Sequence, residues 1–342
     1  MIFQPTFSLN HKIVNNLTES ERLYGRLESM RLPQEQLLNL ERNNMIKSSY
    51  VSNSIEGNPL TLLEVTNLLL GDRVPTNRDE KEVKNYFDLL KKLEYQVATP
   101  LSVEFIQTMH SQLMHGVDEK IAGQIRNAEV VIGGYELKEN QPHLVIKHTP
   151  PFHKTQKITQ ALQGLVSWAE KIQTVPAILK AGIFHHQYVY IHPFEDGNGR
   201  TCRLLTALVF LKHNYQINKY FVLDDYYDVD RDAYSDALHT ADFGDKTLWL
   251  EYFTDGIKYS LQSALSRVQS GVQHTRIQER LTPRQRDALE AMKKYPEVTS
   301  ADLVRELQVS RQQVFNILKA LIDKGYVEKK GITKRSYYCI KQ

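Results

Sequence analysis

Between Ile191 and Arg203 the chain reads Ile-His-Pro-Phe-Glu-Asp-Gly-Asn-Gly-Arg-Thr-Cys-Arg, and the apolar run Leu204 to Leu211 follows at once. That run predicts a buried helix with Gly197, Asn198 and Gly199 at its N-terminal mouth. Free amides and the positive end of the helix dipole make such a mouth an anion site, and glycines let a phosphate approach the backbone closely. Arg200 and Arg203, three apart, fall on neighbouring positions of the first turns. Cations there oppose the helix dipole, a conflict that an anionic ligand removes. Asp196 supplies a carboxylate suited to Mg²⁺ held beside substrate phosphates. His192 is a side chain able to accept a proton near neutral pH. A base, a metal ligand, an anion nest and two arginines in so short a stretch describe attack on a nucleotide phosphate.

These residues resemble the motif of the Fic family, HxFx(D/E)GNGRxxR: every specified position is met, by His192, Phe194, Asp196, Gly197, Asn198, Gly199, Arg200 and Arg203. The similarity extends over roughly residues 1 to 265. It implies a mainly α fold, a Fic-type helical bundle with a β-hairpin flap, and transfer of AMP from ATP to a protein Ser, Thr or Tyr hydroxyl. On that resemblance His192 deprotonates the incoming hydroxyl, Asp196 binds Mg²⁺, and Asn198 with the glycine amides holds the α- and β-phosphates. Arg200 and Arg203 receive the β- and γ-phosphates, and Phe194 packs inward to fix the loop. Kinase-like members of the superfamily replace the GNG stretch, whereas here it is intact, which favours transfer of AMP over phosphate. A modified protein, including this chain itself, is the implied partner, and a homodimer is compatible with the reading.

Upstream, Ser49 to Glu56 leads into Gly57-Asn58-Pro59 and predicts a short helix over about 49–56 with Gly57 closing it. An acid at that end faces the negative pole of the dipole and needs a cation. The resemblance supplies one: Ser52-x-x-x-Glu56-Gly57 fits the inhibitory pattern (S/T)xxxE(G/N), whose glutamate pairs with the second motif arginine, Arg203. So paired, Arg203 cannot hold the γ-phosphate, and inhibition is intramolecular. In some relatives the same glutamate positions a water that removes AMP, so a de-AMPylase using this site is a second implied role for Glu56.

The remaining elements must position these groups. Helical patterns cover roughly 79–95, 102–115, 155–172, 177–190, 200–213 and 246–265, and Thr61-Leu-Leu-Glu64 is a capping box for a helix that Gly71 ends. The β-branched runs Glu129–Gly134 and His143–Lys147 predict a hairpin over about 129–147, which corresponds to the family's flap. Its edge can add an extended target segment as a strand. Val131 and Ile132 either cover the adenine or simply pack, and Tyr234 lies near the base by resemblance. The pair His185-His186 is adjacent on a helix, so its rings point different ways and read as core or surface rather than as metal ligands. We divide the chain into an N-terminal helical region (1–100), a core (101–265), an exposed helical connector (266–280) and a basic C-terminal domain (281–342).

The net charge of +3 conceals an asymmetry: from Arg280 onward there are 14 Lys+Arg against 7 Asp+Glu, a balance of +7, so the body carries −4. Thr282-Pro-Arg-Gln285 and Ser310-Arg-Gln-Gln313 each open a helix. A second helix near Ala301–Leu307 and two strands over 326–338 complete a pattern that resembles the winged helix-turn-helix. As a DNA reader it would offer Arg311, Gln312, Gln313 and Asn316 to base edges and Lys329, Lys330, Lys334 and Arg335 to phosphates. Winged helices also serve as protein-docking modules, and a nucleotide-sensing transcription regulator with little turnover is the competing function. With 342 residues, 41% hydrophobic and 24% charged, the chain has the balance of an ordinary globular protein of two or three domains. Leu204 to Leu211 is the longest apolar run, too short to cross a bilayer. The opening MIFQPTFSLNHK shows no secretory leader, and Cys202 and Cys339 read as free thiols, so a reducing cytoplasm is the expected location.

Overall fold

The computed structural model describes residues 3–71, 73–138, 141–279, 283–293, 297–323, 326–330 and 336–340. The chain forms two compact units, Met1–Ser266 and Arg267–Gln342.

The first unit opens with α1 (His11–Ser29), capped by the Asn10 side chain, and α2 (Gln34–Ile55), which follows Pro33. α3 (Leu62–Leu70) starts at the expected capping box, Thr61 and Glu64 each satisfying the other's backbone amide. α4 (Arg78–Lys92) is capped by Asn77 and runs into a 3-10 turn over Leu93–Gln96. α5 (Val103–Met114) is capped by Ser102. Strands β1 (Ile132–Lys138) and β2 (Gln141–His148) pair antiparallel, from Ile132 opposite His148 to Lys138 opposite Gln141. Then come α6 (Thr155–Lys171), α7 (Ala177–Ile191), α8 (Asn198–Lys212), α9 (Asp224–Val229), α10 (Arg231–Thr240) and α11 (Thr247–Glu279).

Helices α7 and α8 form the centre, joined by the motif loop. α8 is buried at every position from Arg200 to Leu211, as a helix enclosed on all sides must be. α6 covers α7, while α2, α4 and α5 pack around α8. The start of α11 crosses α7 so closely that the Trp249 indole N–H donates to Gly182 O at 2.7 Å.

Two sequence expectations are corrected. The helix bearing Ser52 and Glu56 is not short: it runs 22 residues, with Glu56 at its C-cap and Gly57 in the left-handed region (φ 88°). Of its seven buried residues only Ile46 and Val51 are apolar; the others are Asn44, Ser48, Ser49, Ser52 and Asn53, which give little apolar periodicity. The helix that leads into the connector is not exposed: Leu261 and Leu265 are buried, as is Val268 within the connector, and α11 is continuous through residue 279.

In the second unit α12 (Pro283–Lys293), α13 (Ser300–Leu307) and α14 (Arg311–Asp323) precede β3 (Val327–Lys330) and β4 (Tyr337–Ile340). The strands pair antiparallel, and Val298 bridges to Tyr338 beside them. Ala288, Met292, Leu303, Val314, Leu318, Leu321 and Val327 close a small core. This is the winged helix-turn-helix order. Ser310 and Gln313 cap α14 reciprocally, as expected. Gly325 lies outside the described residues.

The close passage of α11 over α7 sets a stability test. A Cβ at Gly182 would stand 2.8 Å from the Phe253 ring and 3.0 Å from a Leu250 methyl. Gly182→Ala should therefore lower unfolding free energy by about 1–3 kcal/mol, the usual cost of overpacking, measured by denaturant titration. An unchanged midpoint would show that the two helices part freely.

Candidate active site

The motif loop begins where α7 ends. His192 is the C-cap of α7 in a left-handed conformation (φ 50°), which turns the chain out of the helix. The last carbonyls of α7 would otherwise be orphaned, and side chains from both roots of the hairpin meet them. Arg126, just before β1, donates Nε to His192 O at 2.7 Å and Nη2 to Ile191 O at 3.2 Å. Its Nη1 reaches Ala128 O at 2.6 Å, and its backbone N–H donates to Pro193 O at 3.0 Å. From the other root, His148 Nε2 lies 3.2 Å from Tyr190 O. The unusual backbone at His192 is thus held by a buried guanidinium as well as by its own helix, through its N–H to Tyr188 O at 3.0 Å.

His192 Nδ1 lies 3.3 Å from Val189 O, which assigns its proton to that nitrogen and leaves Nε2 as the basic lone pair. Burial pushes the imidazole down to about 4; Glu56 and the Val189 contact raise it, and Arg126 and His148 lower it. The ring is therefore neutral at physiological pH.

Phe194 is fully buried and stacks on His110 of α5, with ring centroids 3.7 Å apart and planes at 5°. His110 accepts from Gly123 N at 3.0 Å through Nδ1 and donates from Nε2 to Asp196 O at 2.9 Å. Burial drives it down to about 4, so it stays neutral and keeps both bonds. The Asn198 side chain is committed elsewhere than expected. Its Oδ1 accepts from Phe194 N at 2.9 Å and its Nδ2 donates to Phe194 O at 2.8 Å. It laces the loop to itself, so only its backbone amide remains for a phosphate.

Gly197 sits at the N-cap of α8 with φ 73°, and a Cβ there would press on Met114 Sδ and His110 Nε2. A side chain at Gly199 would collide with Glu56 Oε1 and lie 3.1 Å from Arg203 Nη1. The carboxylate of Glu56 thus lies against the first turn of α8, where three amides have no helical partner. It also accepts from Arg203 Nη2 at 2.7 Å. Arg203 further donates Nε to Ser52 Oγ at 2.6 Å and Nη2 to Ser52 O at 2.8 Å. Burial would lower its pKa, but Glu56, Tyr234 and Asp224 outweigh that and hold it above the ordinary arginine value. Asp224, buried and accepting from Ser48 Oγ at 2.6 Å, is pushed up to about 6 by burial against the pull of Arg203.

Arg200 is buried, with Glu82 Oε2 3.2 Å from Nη1 and Asp196 Oδ1 3.3 Å from Nη2. Among the described residues its Nε and Nη1 find no hydrogen-bond partner of good geometry, donors that an incoming oxyanion would fill. Asp196, side chain 41% exposed, also meets Arg78 Nη2 at 3.1 Å. A rim carboxylate that draws two guanidinium groups fits a site where Mg²⁺ would be held together with substrate phosphates.

His192, Asp196, Gly197, Asn198, Gly199, Arg200, Arg203, Glu56 and Ser52 therefore lie together around the motif loop and the start of α8. Val131 is half exposed just before β1 and Ile132 opens it; both stand at the hairpin root, and nothing distinguishes covering from packing. Tyr234 is buried, its hydroxyl 2.8 Å from His185 Nε2 and its ring stacked on Tyr227. His185 and His186 are both core residues. Sequence reasoning missed Arg78, Glu82, His110, Arg126 and Asp224, which reach the loop from four other segments of the chain.

In the C-terminal unit Arg311, Gln312 and Asn316 are exposed on α14, and Lys329 and Lys330 on β3. Gln313 is also exposed, but its side-chain oxygen is taken by the cap with Ser310 N at 3.1 Å. Lys330 pairs with Glu328 at 2.7 Å. Lys334 and Arg335 lie outside the described residues. Phe315, 58% exposed, adds an apolar side chain to the same helix. No helix among the described residues is long and apolar enough to cross a membrane.

Residues 100–210 match the Fic/DOC family and residues 281–332 the MarR family. The chain is 28% identical over 222 residues to the protein adenylyltransferase fic-1 of Caenorhabditis elegans, covering 62% of this chain and 40% of that protein. It is 27% identical over 173 residues to the protein adenylyltransferase Fic of Drosophila erecta, covering 48% and 32%. The match thus spans at most about two fifths of these curated relatives. A Fic family protein from Desulfovibrio desulfuricans superposes with a TM-score of 0.66 at 25% identity, covering 99% of this chain and 98% of that one. Fic-1 from C. elegans superposes with 0.61 at 23% identity over 76% and 73%. Residues 100–210 are thus a Fic domain in a mainly helical body of Fic fold, and the C-terminal unit is a winged helix of MarR type.

Proposed function

We propose that this chain is a protein adenylyltransferase that transfers AMP from ATP to a Ser, Thr or Tyr hydroxyl, and that Glu56 holds it inactive. The observation that carries the reading is the placement of the Glu56 carboxylate against Gly199 and on Arg203. One acid occupies both the amide nest and the guanidinium that a triphosphate would need. The relatives named as protein adenylyltransferases support the reaction class.

In the derived mechanism the nucleotide enters once Glu56 leaves. Its phosphate oxygens take the amides at the start of α8 and the free donors of Arg200 and Arg203. His192 Nε2 accepts the proton of the target hydroxyl while Nδ1 stays anchored toward Val189 O. The hydroxyl oxygen bonds to the α-phosphorus and the bond to the β-phosphate oxygen breaks, so pyrophosphate departs with its charge met by the arginines. Mg²⁺ held by Asp196 would supply further neutralisation of that charge. Arg126 keeps the His192 carbonyl, and with it the ring, in register with α8. An extended target segment would pair with the hairpin edge.

The MarR-type domain supports a second activity, DNA binding through α14 and the wing. Full-length protein in a mobility-shift assay should bind duplex DNA with an affinity that falls steeply between two salt concentrations. Salt-insensitive or absent binding would favour protein docking, for which the exposed Phe315 is the anchor.

Glu56→Gly should raise incorporation of α-labelled ATP into protein at least tenfold, a transition-state difference of only about 1.4 kcal/mol. An unchanged rate removes the inhibitory role of Glu56. If γ-label is retained instead, the reaction is phosphate transfer, and if neither label is retained the body is a nucleotide sensor. The same variant tests the base. With His192 pushed down to about 4 by burial, and the raising influence of Glu56 gone, kcat/KM should lose activity only as pH falls toward 4. An acid limb near 6.5, the ordinary imidazole value, would mean that His192 is solvated or is not the base.

A further inference from the structure

We propose that His148, His239 and Asp242 form a binding site for one zinc-class divalent ion at the root of the flap. Their ligand atoms, His148 Nδ1, His239 Nδ1 and a carboxylate oxygen of Asp242, all lie within 4.8 Å of one another. Asp242 Oδ2 is 2.7 Å from the first nitrogen and 3.0 Å from the second. Ligand atoms at Zn–N and Zn–O distances near 2.0 Å on a tetrahedron stand roughly 3.3 Å apart, so small side-chain shifts admit an ion among them.

The surroundings are built as a metal site requires. A metal-ligating histidine ordinarily donates its other ring N–H to a carbonyl or carboxylate. His148 faces Tyr190 O with Nε2 at 3.2 Å, which leaves the Nδ1 lone pair for an ion. The remaining oxygen of Asp242, Oδ1, is 3.2 Å from His186 Nε2, and Lys246 Nζ meets His186 Nδ1 at 2.7 Å. That chain fixes His186 as a donor to the carboxylate and fixes the carboxylate's orientation. His148 is buried, whereas the side chains of His239 and Asp242 are about a fifth exposed, which gives an entry path and room for a water as fourth ligand.

Two imidazoles and one carboxylate select a borderline ion such as Zn²⁺ or Co²⁺ over Mg²⁺ or Ca²⁺. The three ligands come from the end of β2, the last turn of α10 and the turn after it. An ion there ties the flap strand to α10 and, through Tyr190, to the helix that ends at His192. Its role is structural: it steadies the edge on which a target would be laid.

The test uses the full-length protein, stripped with chelator and titrated with Zn²⁺ against a chromophoric competitor, and with Co²⁺ followed by visible absorption. We expect one ion per chain, a tetrahedral-type Co²⁺ spectrum, and no displacement by excess Mg²⁺. His239→Ala and Asp242→Asn should each weaken Zn²⁺ at least tenfold. His115→Ala, which removes an exposed imidazole paired only with Glu119, should leave affinity unchanged. Circular dichroism checks that each variant is folded, and if either site variant is not, the wild-type stoichiometry and Co²⁺ spectrum decide. Wild type that binds no stoichiometric ion, or that gives only an octahedral Co²⁺ spectrum, overturns the proposal. So do folded site variants that bind as tightly as wild type.

Discussion

A positive site inside the protein must be answered by negative charge, and the mouth of α8 is such a site. The amides of its first turn, Arg200 and Arg203 concentrate positive potential where few waters reach. In this chain the answer is divided among four carboxylates. Glu56 lies against Gly199 and pairs with Arg203, Asp224 stands near Arg203, and Glu82 and Asp196 flank Arg200. Glu82 and Asp224 are structural counter-ions, buried and held by other bonds. Glu56 and Asp196 are more exposed, at 32% and 41%, and are the two that can yield to a ligand.

The same electrostatics explains how the hairpin and the base are joined. The C-terminus of α7 presents negative carbonyls, the complement of the mouth of α8, and it receives Arg126 and His148. A strained residue persists only where its surroundings over-determine it, and His192 is enclosed by these contacts, by the buried Phe194 and by the lacing of Asn198. Placing the base on that bend brings a helix C-terminus and a helix N-terminus within one loop. The imidazole then stands where a hydroxyl and a phosphate can meet.

Much of this was legible before any coordinates. The motif residues are contiguous, so their convergence follows from one helix start, and the Glu56–Arg203 pair follows from a resemblance in two short patterns. Helix positions read well where capping residues and apolar periodicity agree, as at Thr61 and Ser310. Reading failed where the buried face is polar. The length of α2 was hidden because Ser48, Ser49, Ser52 and Asn53 serve as its packing surface. Asn198 was misread because its residue type suits a phosphate as well as a backbone, and only the geometry of Phe194 decides between them. Arg126, His110 and Arg78 were invisible for a different reason: each is a lone residue far from the motif in sequence, placed by tertiary packing alone.

On the proposed inhibitory reading, Glu56 can be released because Arg203 does not depend on it alone. Removing one member of a buried ion pair is ordinarily costly, since the other charge is left uncompensated. Here Arg203 keeps Ser52 as a double acceptor and Asp224 as a neighbouring carboxylate when Glu56 departs. Glu56, for its part, sits at the C-cap of α2, where its charge opposes the helix dipole at a cost of about 0.3–1 kcal/mol. The pair is thus strong enough to close the site and weak enough to open without unfolding its setting. Since Glu56 is the C-cap of the 22-residue α2, with the left-handed Gly57 behind it, a change at that cap, beyond Ser52, would withdraw it. On the proposed inhibitory reading, control of this site would reside in the end of a helix rather than in the motif loop.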